Sequence, residues 1–312
     1  MNRFAVLTLL AMVGTAQAEP KRHEVVSHKE ILYCEVPNDP DPSRHRLDVY
    51  QPRRKDPCPV LLFFHGGAWM VGGKDDVLGL YGYGTIARRL AERGLVVVMA
   101  NYRLSPKVRH PEHIKDAARA FAWTCKNITR YGGDPQQIFV GGHSAGGHLA
   151  ALLATDEKYL KEVGPSRKDI LGVIGVSGVY SLDDLDLKLS AADPNGFLHL
   201  KTEVRPLAMA FGSDPKVAAD ASPAAHVQPG LPPVLIINAG WDYAPLRRMG
   251  KEFAAALKKN GCDVETRMIP WRTHETLLFD IGRLTIDPVT SGAILGFVER
   301  VCEQTRTDKP GK

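Results

Sequence analysis

The sequence predicts an α/β fold in which a mostly parallel, eight-stranded sheet carries helices on both faces. Short apolar runs bounded by glycine or proline alternate with longer amphipathic stretches, and strands that alternate with helices specify a parallel sheet. The runs are continuously apolar, as expected for strands buried on both faces. With 312 residues, 44% of them hydrophobic and 24% charged, the chain has the proportions of one globular domain.

The first two strands are expected to form an antiparallel hairpin, because 31–36 and 46–50 flank the turn-rich stretch PNDPDPS. Six further strands are expected at 60–64, 95–100, 138–140, 171–176, 234–238 and 264–269. Helices are expected at 83–93, 111–131, 145–155, 246–260 and 288–302. Pro111 is a typical helix start, and Gly94 and Gly132 are typical helix ends.

The span 180–233 interrupts this alternation. It is rich in Asp, Ala and Pro and contains no clear strand. Long insertions in compact domains often serve as lids or pocket walls, although a plain connection between two central strands is the alternative. We expect one catalytic domain over 19–312, with this insertion inside it.

The first 18 residues are typical of a secretory signal peptide. Arg3 precedes the apolar run AVLTLLAMVG, and the small-residue box Ala16-Gln17-Ala18 follows. We expect cleavage after Ala18 and a secreted or periplasmic mature protein; a short buried helix is the alternative. The run is too short to span a bilayer, and no other segment is long and apolar enough to do so.

Charge and cysteine content exclude several classes of partner. The formal net charge of +5 comes from 40 basic and 35 acidic residues interspersed along the chain, so nucleic acid is not an expected partner. The five cysteines include no C-x-x-C pair, so a metal site is not expected. Their pairing stays open, and the residues concerned are Cys34, Cys58, Cys125, Cys262 and Cys302.

The motif Gly142-His143-Ser144-Ala145-Gly146 stands between a predicted strand and a predicted helix. A serine presented for attack needs a sharp strand-to-helix turn, and glycines leave room for that turn. A helix start capped by Ser144 is the alternative, because serine is a favoured N-cap residue. The motif alone does not decide between them.

The segment His65-Gly66-Gly67-Ala68-Trp69 follows a buried strand upstream of Ser144 and favours the catalytic interpretation. Acyl transfer builds negative charge on a carbonyl oxygen, and a turn of small residues leaves backbone N–H groups free to point at that oxygen. The expected donors of this oxyanion hole are Gly66, Gly67 and the residue after the nucleophile, Ala145. We expect His65 to orient the loop.

A hydroxyl needs a base that accepts its proton, and in this arrangement the acid and then the histidine follow the serine. His274 is the one histidine after the strand at 234–238, and it lies beyond the next strand, at the same edge as Ser144. Asp242 follows its strand by a few residues, on the edge where α/β sheets bind ligands.

Several other acidic residues are alternatives to Asp242 as the acid that partners His274. Asp263 and Glu265 begin a strand and therefore lie at the opposite edge of the sheet. The remaining alternatives lie in the insertion and are Asp214, Asp183, Asp184 and Asp186.

Two aromatic residues near strand ends, Trp69 and Tyr180, are candidates for the wall of an acyl pocket, with plain packing as the alternative. His110 and His113 have a spacing that could suit a metal, but no third ligand is evident, and a solvated helix N-terminus is the favoured interpretation. We expect no metal and no organic cofactor.

The segments HGGAW, NYRLSP, YGGDPQQIFVGGHSAGGHLAALLAT, GWD and TH resemble the esterase branch of the α/β-hydrolases related to hormone-sensitive lipase. The resemblance covers nearly the whole mature chain. Where that family shows HGGG, DYRLAPE and GDSAGG, this chain has HGGAW, NYRLSPK and GHSAGG. These variants are more similar to the subgroup of arylformamidases and of bifunctional feruloyl and acetyl xylan esterases.

The resemblance implies Ser144, Asp242 and His274 as a catalytic triad in an α/β-hydrolase fold. We expect cleavage of short carboxylic esters on the grounds of the complete candidate triad, and the predicted export favours acetyl groups on polysaccharide. The expected partner is therefore a small ester or an acylated saccharide. An arylformamidase-type amide hydrolase is the first alternative, because the subgroup cleaves both bonds with the same residues. A non-catalytic binding protein on the same scaffold is the second.

Overall fold

A computed structural model describes residues 22–75, 82–182, 206–282 and 289–307. The predicted signal peptide and the alternative acids Asp183, Asp184 and Asp186 lie outside these residues. Within them, no helix has both the length and the apolar character needed to cross a membrane. All five cysteines are described, and none of them forms a disulfide there.

Eight strands form one sheet in the order β1-β2-β4-β3-β5-β6-β7-β8. The pairs β1/β2 and β2/β4 are antiparallel, and every other neighbouring pair is parallel. The mostly parallel, eight-stranded prediction is confirmed. The strands are β1 (Val25–Leu32), β2 (Arg46–Pro52), β3 (Cys58–Phe64), β4 (Val96–Ala100), β5 (Gly133–His143), β6 (Gly172–Val176), β7 (Val234–Trp241) and β8 (Val264–Thr273).

Helices cover both faces of the sheet and bury two separate apolar clusters against it. One cluster holds the apolar residues of α2, α3 and α7, and the other those of α1, α8 and α9. The helices are α1 (Tyr83–Glu92), α2 (Glu112–Asn127), α3 (Ala145–Thr155), α4 (Lys158–Lys161), α5 (Pro206–Phe211), α6 (Pro215–Asp220), α7 (Ala244–Lys259), α8 (Thr276–Gly282) and α9 (Val289–Thr307).

The centre of the sheet is dry, which explains the continuous apolar runs. Every residue of β4 and β6 is buried, as is every residue of α3. A helix that is apolar all round is typically buried, and α3 is apolar along most of its length. Because β5 to β8 are parallel neighbours, their carboxyl ends meet at one edge of the sheet.

The largest deviation from the predicted elements is the first strand. The hairpin is present, but β1 covers Val25–Leu32 rather than 31–36. β1 is the outermost strand and most of its side chains are half-buried or exposed, so it lacks the apolar pattern by which buried strands are recognised. α4 and α8 were not predicted.

The described part of the insertion, 180–182 and 206–233, is attached to the core at both ends. Tyr180 stacks on Phe253 of α7, with ring centroids 4.5 Å apart, and its carbonyl accepts from the N–H of Ala224. At the end of α5, Phe211 packs edge-on against Trp69 at 4.8 Å. The insertion therefore contacts the loop after β3.

Candidate active site

Ser144 lies on the sharp turn between β5 and α3, with φ 54° and ψ −118°. This left-handed conformation is costly for a residue with a side chain and is typical of functional sites. The neighbouring glycines are required by space: a Cβ on Gly142 would lie 2.2 Å from the carbonyl carbon of Gly146, and one on Gly146 would lie 2.0 Å from the Phe64 carbonyl oxygen. The Ser144 side chain does not cap α3, so the turn has the strained geometry expected of a presented serine and not that of a helix start capped by the Ser144 hydroxyl.

Asp242 and His274 form a buried pair at the same edge of the sheet. Asp242 directly follows β7 and His274 directly follows β8, and His274 Nδ1 lies 2.9 Å from Asp242 Oδ1. The residues are only 6% and 8% exposed. The alternative acid Asp214 instead caps α6 by accepting from the N–H of Lys216. Asp263 is bound by Arg300 at the opposite edge.

The pair holds two opposite pKa shifts. Burial would raise the pKa of Asp242, but the hydrogen bond and charge of His274 lower it below its ordinary value. Burial would lower the pKa of His274, but the Asp242 carboxylate raises it above 6.5. Each shift favours the charged pair, so Asp242 can stabilise an imidazolium at His274.

Ser177, which was missed in the sequence, completes the environment of the carboxylate. It follows β6, has φ 47°, is fully buried, and donates its hydroxyl to Asp242 Oδ2. The backbone N–H of Tyr243 donates to Oδ1 at 2.9 Å. Both carboxylate oxygens are therefore fixed by neutral donors as well as by His274.

His143 connects Ser144 to His274. The His143 ring lies 4.5 Å from that of His274, centroid to centroid, and its Nε2 lies 3.0 Å from the His274 carbonyl oxygen. Because His143 directly precedes Ser144, the structure brings all three predicted triad residues to one edge of the sheet.

The loop after β3 requires one correction to the predicted oxyanion hole. The N–H of Gly66 donates to the Tyr83 hydroxyl at 2.8 Å, so it is already engaged and does not fit the role of a free donor. Gly67 has φ 114°, and a Cβ there would meet the Val71 carbonyl oxygen at 2.1 Å. Ala68, also left-handed at φ 51°, is the next N–H along this turn.

Ala145 is the first residue of α3. The first N–H groups of a helix have no acceptor within it, so this N–H suits the predicted donor role. The candidate donors are therefore Gly67 and Ala68 from this turn and Ala145 from the start of α3. The two glycines of HGGAW look equivalent in the sequence. Only the tertiary contact with Tyr83 shows that the Gly66 N–H is already engaged.

His65 is fully buried beneath this loop and supports it, as expected. Its Nδ1 donates to the Gly66 carbonyl at 2.7 Å, and its Nε2 lies 3.1 Å from an Arg44 guanidinium nitrogen. Burial and the Arg44 charge lower the pKa of His65 to about 3, so the ring stays neutral. Tyr102 stacks on the ring at 4.4 Å and donates its hydroxyl to the His65 carbonyl.

The two predicted pocket residues differ in position. Trp69 is 2% exposed and packs edge-on against both Phe211 and His148, at 4.8 Å and 5.1 Å, so it closes the space beside the oxyanion loop. Tyr180 is 1% exposed and stacked on Phe253 in the core. Its packing role is therefore the one the structure supports.

An exposed pair of tryptophans stands next to the acid and histidine loops. Trp241, which immediately precedes Asp242, is 62% exposed, and Trp271, three residues before His274, is 71% exposed. Their ring centroids are 5.4 Å apart at 85°. Trp271 has φ 60°, and the β7/β8 register shifts just before Trp241. Such irregularities near active sites commonly redirect side chains.

One group among the described residues has the spacing of a metal site: Asp156, Asp220 and His226. Lys158 already pairs with both carboxylates of this group, because its Nζ lies 2.7 Å from Asp156 Oδ2 and also binds Asp220. The interpretation of His113 as a solvated helix residue was wrong, since it is 1% exposed and its Nε2 lies 3.1 Å from the Ser105 hydroxyl.

Curated relatives of this chain include esterases. The chain is 34% identical over 247 residues to "Esterase LipC" of Mycobacterium tuberculosis, which covers 76% of this chain and 57% of the relative. It is 30% identical over 270 residues to "Probable isoprenylcysteine alpha-carbonyl methylesterase ICME" of Oryza sativa subsp. japonica, covering 85% and 60%. The chain thus spans less than two thirds of the length of these relatives.

Solved structures share the fold at low sequence identity. Esterase B from Lactobacillus rhamnosis superposes with a TM-score of 0.72 at 22% identity, over 92% of this chain and 89% of that chain. A truncated carbohydrate esterase from gut microbiota superposes with a TM-score of 0.68 at 20% identity, over 93% and 99%. These neighbours show the α/β-hydrolase fold. The BD-FAE family model matches residues 47–256, well over half of the sequence, and the chain therefore belongs to the BD-FAE family.

Proposed function

We propose that this chain is a serine-dependent carboxylic ester hydrolase. The observation that carries the proposal is the strained turn at Ser144 beside the buried Asp242–His274 pair. A half-buried serine on a strained turn, a histidine of raised pKa and a carboxylate fixed on both oxygens are the parts that acyl transfer needs. The esterase names of the relatives support the same reaction class.

The mechanism follows from these positions. The Ser144 oxygen attacks the ester carbonyl while its proton passes to His274 Nε2, the nitrogen that does not face Asp242. The oxyanion accepts hydrogen bonds from the N–H groups of Gly67, Ala68 and Ala145. The proton then moves from Nε2 to the departing alkoxide, leaving an acyl-serine and an alcohol. Water, deprotonated by the same nitrogen, releases the carboxylic acid and restores the hydroxyl.

Ser144→Ala tests this proposal directly. We expect hydrolysis of p-nitrophenyl acetate to fall by about 10⁴-fold or more, and labelling by a fluorophosphonate probe to disappear. Ser43→Ala, which removes an exposed hydroxyl bound only to Asp41, is the matched control and should behave as wild type. A wild-type protein that neither reacts with the probe nor hydrolyses the ester would instead indicate a non-catalytic binding protein.

The acyl group should be short, and its leaving group a saccharide. Trp69 and Phe211 fill the space beside the oxyanion loop, which restricts the acyl side. The exposed indoles of Trp241 and Trp271 offer flat apolar faces with a polar edge, and a pyranose ring presents a face of C–H groups that stacks on such a surface. We assign acetyl groups on a polysaccharide as the substrate class.

The double variant Trp241→Ala/Trp271→Ala tests the saccharide assignment. Release of acetate from acetylated xylan should fall by about 10-fold or more, in line with the truncation of two stacking aromatics, while p-nitrophenyl acetate hydrolysis stays near wild type. Met268→Ala, another exposed apolar change on β8, is the control. Equal loss on both esters, or a change in oligomeric state, would contradict the assignment.

Hydrolysis of N-formylkynurenine tests the amide alternative. A higher kcat/KM on this formamide than on acetyl esters would move the chain from ester to formamide hydrolysis with the same triad. Export of the mature protein from Glu19 is part of the proposal, because polysaccharide substrates lie outside the cytoplasm. N-terminal sequencing of protein recovered outside the cytoplasm tests it, and an intact Met1 there would contradict it.

A further inference from the structure

A chain of buried hydrogen bonds runs through three loops of the candidate site. The N–H of Gly66 in the oxyanion loop is 2.8 Å from the Tyr83 hydroxyl at the start of α1. That hydroxyl is 3.2 Å from His143 Nδ1 at the end of β5. His143 Nε2 is 3.0 Å from the carbonyl oxygen of His274 after β8. One of these bonds, between His143 and His274, alone spans 131 positions in sequence.

The direction of every bond in this line is fixed by its two ends. The Gly66 N–H can only donate, so the Tyr83 oxygen accepts. The His274 carbonyl can only accept, so His143 Nε2 carries the hydrogen. A neutral imidazole has one N–H, which leaves Nδ1 as an acceptor, and the single Tyr83 hydrogen must point to it. No member can reverse without leaving a buried group unpaired.

The charge states agree with these directions. Burial and the neighbouring His274 lower the pKa of His143 to about 3, so the ring is neutral at working pH. Burial raises the pKa of Tyr83, so the hydroxyl keeps its hydrogen. The rings of His143 and His274, 4.5 Å apart, therefore differ in protonation behaviour. His143 stays neutral, whereas the raised pKa of His274 allows it to accept a proton.

The residues in this chain of hydrogen bonds are also closely packed. A Cβ on Gly66 would lie 2.8 Å from His143 Nδ1 and 3.1 Å from the Tyr83 oxygen. Tyr83 and His143 are only 2% and 5% exposed, respectively. A shift at one loop is therefore transmitted to the next by contact as well as by hydrogen bonding.

We infer that Tyr83 and His143 are positioning residues that fix the oxyanion loop and the backbone of His274 relative to Ser144. His274 is held at two points, its ring by Asp242 and its carbonyl by His143. The hydrogen bond from the Gly66 N–H to the Tyr83 hydroxyl fixes the oxyanion loop. The N–H groups of Gly67 and Ala68 are then left for the substrate. This inference rests on the proposed ester hydrolysis.

The test compares two replacements at His143. His143→Phe keeps an aromatic ring but removes both hydrogen bonds, and kcat should fall by about 10- to 100-fold, because small misplacements of reacting groups cost that much. KM should change little, since neither residue touches the substrate. His143→Gln supplies a carbonyl acceptor and an N–H donor and should recover much of the loss. Rates are expressed per site titrated with fluorophosphonate, which removes unfolded protein from the comparison.

Tyr83→Phe breaks the same line one bond earlier and should lower kcat by a similar factor. Together with His143→Phe the loss should be no greater than about that of the worse single change, because both act through one unit. Tyr131→Phe, a half-buried tyrosine outside the site, is the control.

Several outcomes would overturn the inference while leaving the proposed function intact. They are wild-type kcat in His143→Phe, a loss confined to KM, no rescue by glutamine, or losses that multiply in the double variant. An inactive wild type would instead refute the proposed function.

Discussion

Two regions of this molecule bury many polar groups, and they do so in different ways. Beside α2, Asp116 is fully buried and bound by charges: Arg103 makes two contacts of 2.8 Å to it, and His45 lies at 3.1 Å. Burial would raise the pKa of Asp116, but His45 and Arg103 lower it to about 2. At the active edge, the buried line through Tyr83 and His143 is neutral throughout.

The two regions have different roles: the charged groups around Asp116 stabilise the fold, and the neutral groups around Asp242 and His274 position the residues that are proposed to react. Around Asp116, the lowered pKa of the carboxyl and the raised pKa of Arg103 keep this ion pair charged, so it stabilises the fold. At the active edge a single acid–base pair, Asp242 and His274, sits among neutral donors and acceptors. Neutral surroundings position the pair without competing for the charge that would form on His274 in the proposed reaction.

The largest effect is expected where the comparison is sharpest, at Asp242. Asp242→Asn keeps the size of the side chain but removes the charge and favours the wrong tautomer of His274, so kcat should fall by about 10⁴-fold. Asp214→Asn is the matched control, because asparagine also caps helices well. Steady-state kinetics on p-nitrophenyl acetate measures both, and the reverse ranking would show that the acid is assigned to the wrong residue.

The charged region should respond in stability instead of rate. Asp116→Ala leaves the buried Arg103 without its two-fold partner, and the free energy of unfolding should fall by about 3–5 kcal/mol. The kcat per titrated site should stay at the wild-type level. Urea denaturation gives the first quantity, with the exposed Asp56→Ala as a control expected within about 0.5 kcal/mol of wild type. A large loss of kcat per titrated site would contradict this prediction, because it would mean that the Asp116 region also positions the reacting groups.

A smaller effect on rate is expected at Ser177, which lies between the two behaviours. Ser177→Ala removes a hydroxyl that donates to the Asp242 carboxylate, and hydrogen bonds to charged groups contribute about 1.5–3 kcal/mol. The expected decrease in kcat is about 10- to 100-fold. Steady-state kinetics per site titrated with fluorophosphonate measures this decrease. A wild-type rate in Ser177→Ala would remove Ser177 from the site.

The smallest effect is a displacement along the pH axis. His274 must be neutral to accept the Ser144 proton, and the Asp242 carboxylate raises its pKa above 6.5. The acid limb of kcat/KM should therefore have its midpoint above 6.5 in the wild type. In Asp242→Asn the residual activity should have its limb at lower pH, because the charge that raises the pKa is gone. An unchanged midpoint would mean that another group titrates.

Local pattern was sufficient for most of the elements and for placing the three candidate residues, Ser144, Asp242 and His274, at one edge of the sheet. Continuous apolar runs predicted the central strands, glycines around Ser144 predicted the turn, and chain order together with sheet topology predicted Asp242 and His274. In each case the information lies within a few residues of the position or follows from the common edge of a parallel sheet.

The residues that sequence reasoning missed act over long separations. Ser177 reaches Asp242 across 65 positions, and Tyr83 reaches His143 across 60. A buried serine or tyrosine carries no local sign of its partner. Gly66 illustrates the same limit, because its engaged N–H is indistinguishable in sequence from the free one beside it.

The exposed indoles of Trp241 and Trp271 also provide an intrinsic fluorescence signal next to the candidate site. The chain has four tryptophans: Trp69 is buried, Trp123 is half-buried, and Trp241 and Trp271 face solvent. Emission accessible to an aqueous quencher such as iodide will come mainly from the last two. A saccharide stacked on them would shield that emission while leaving the Trp69 signal unchanged, so occupancy beside the acid and histidine loops can be followed without any turnover.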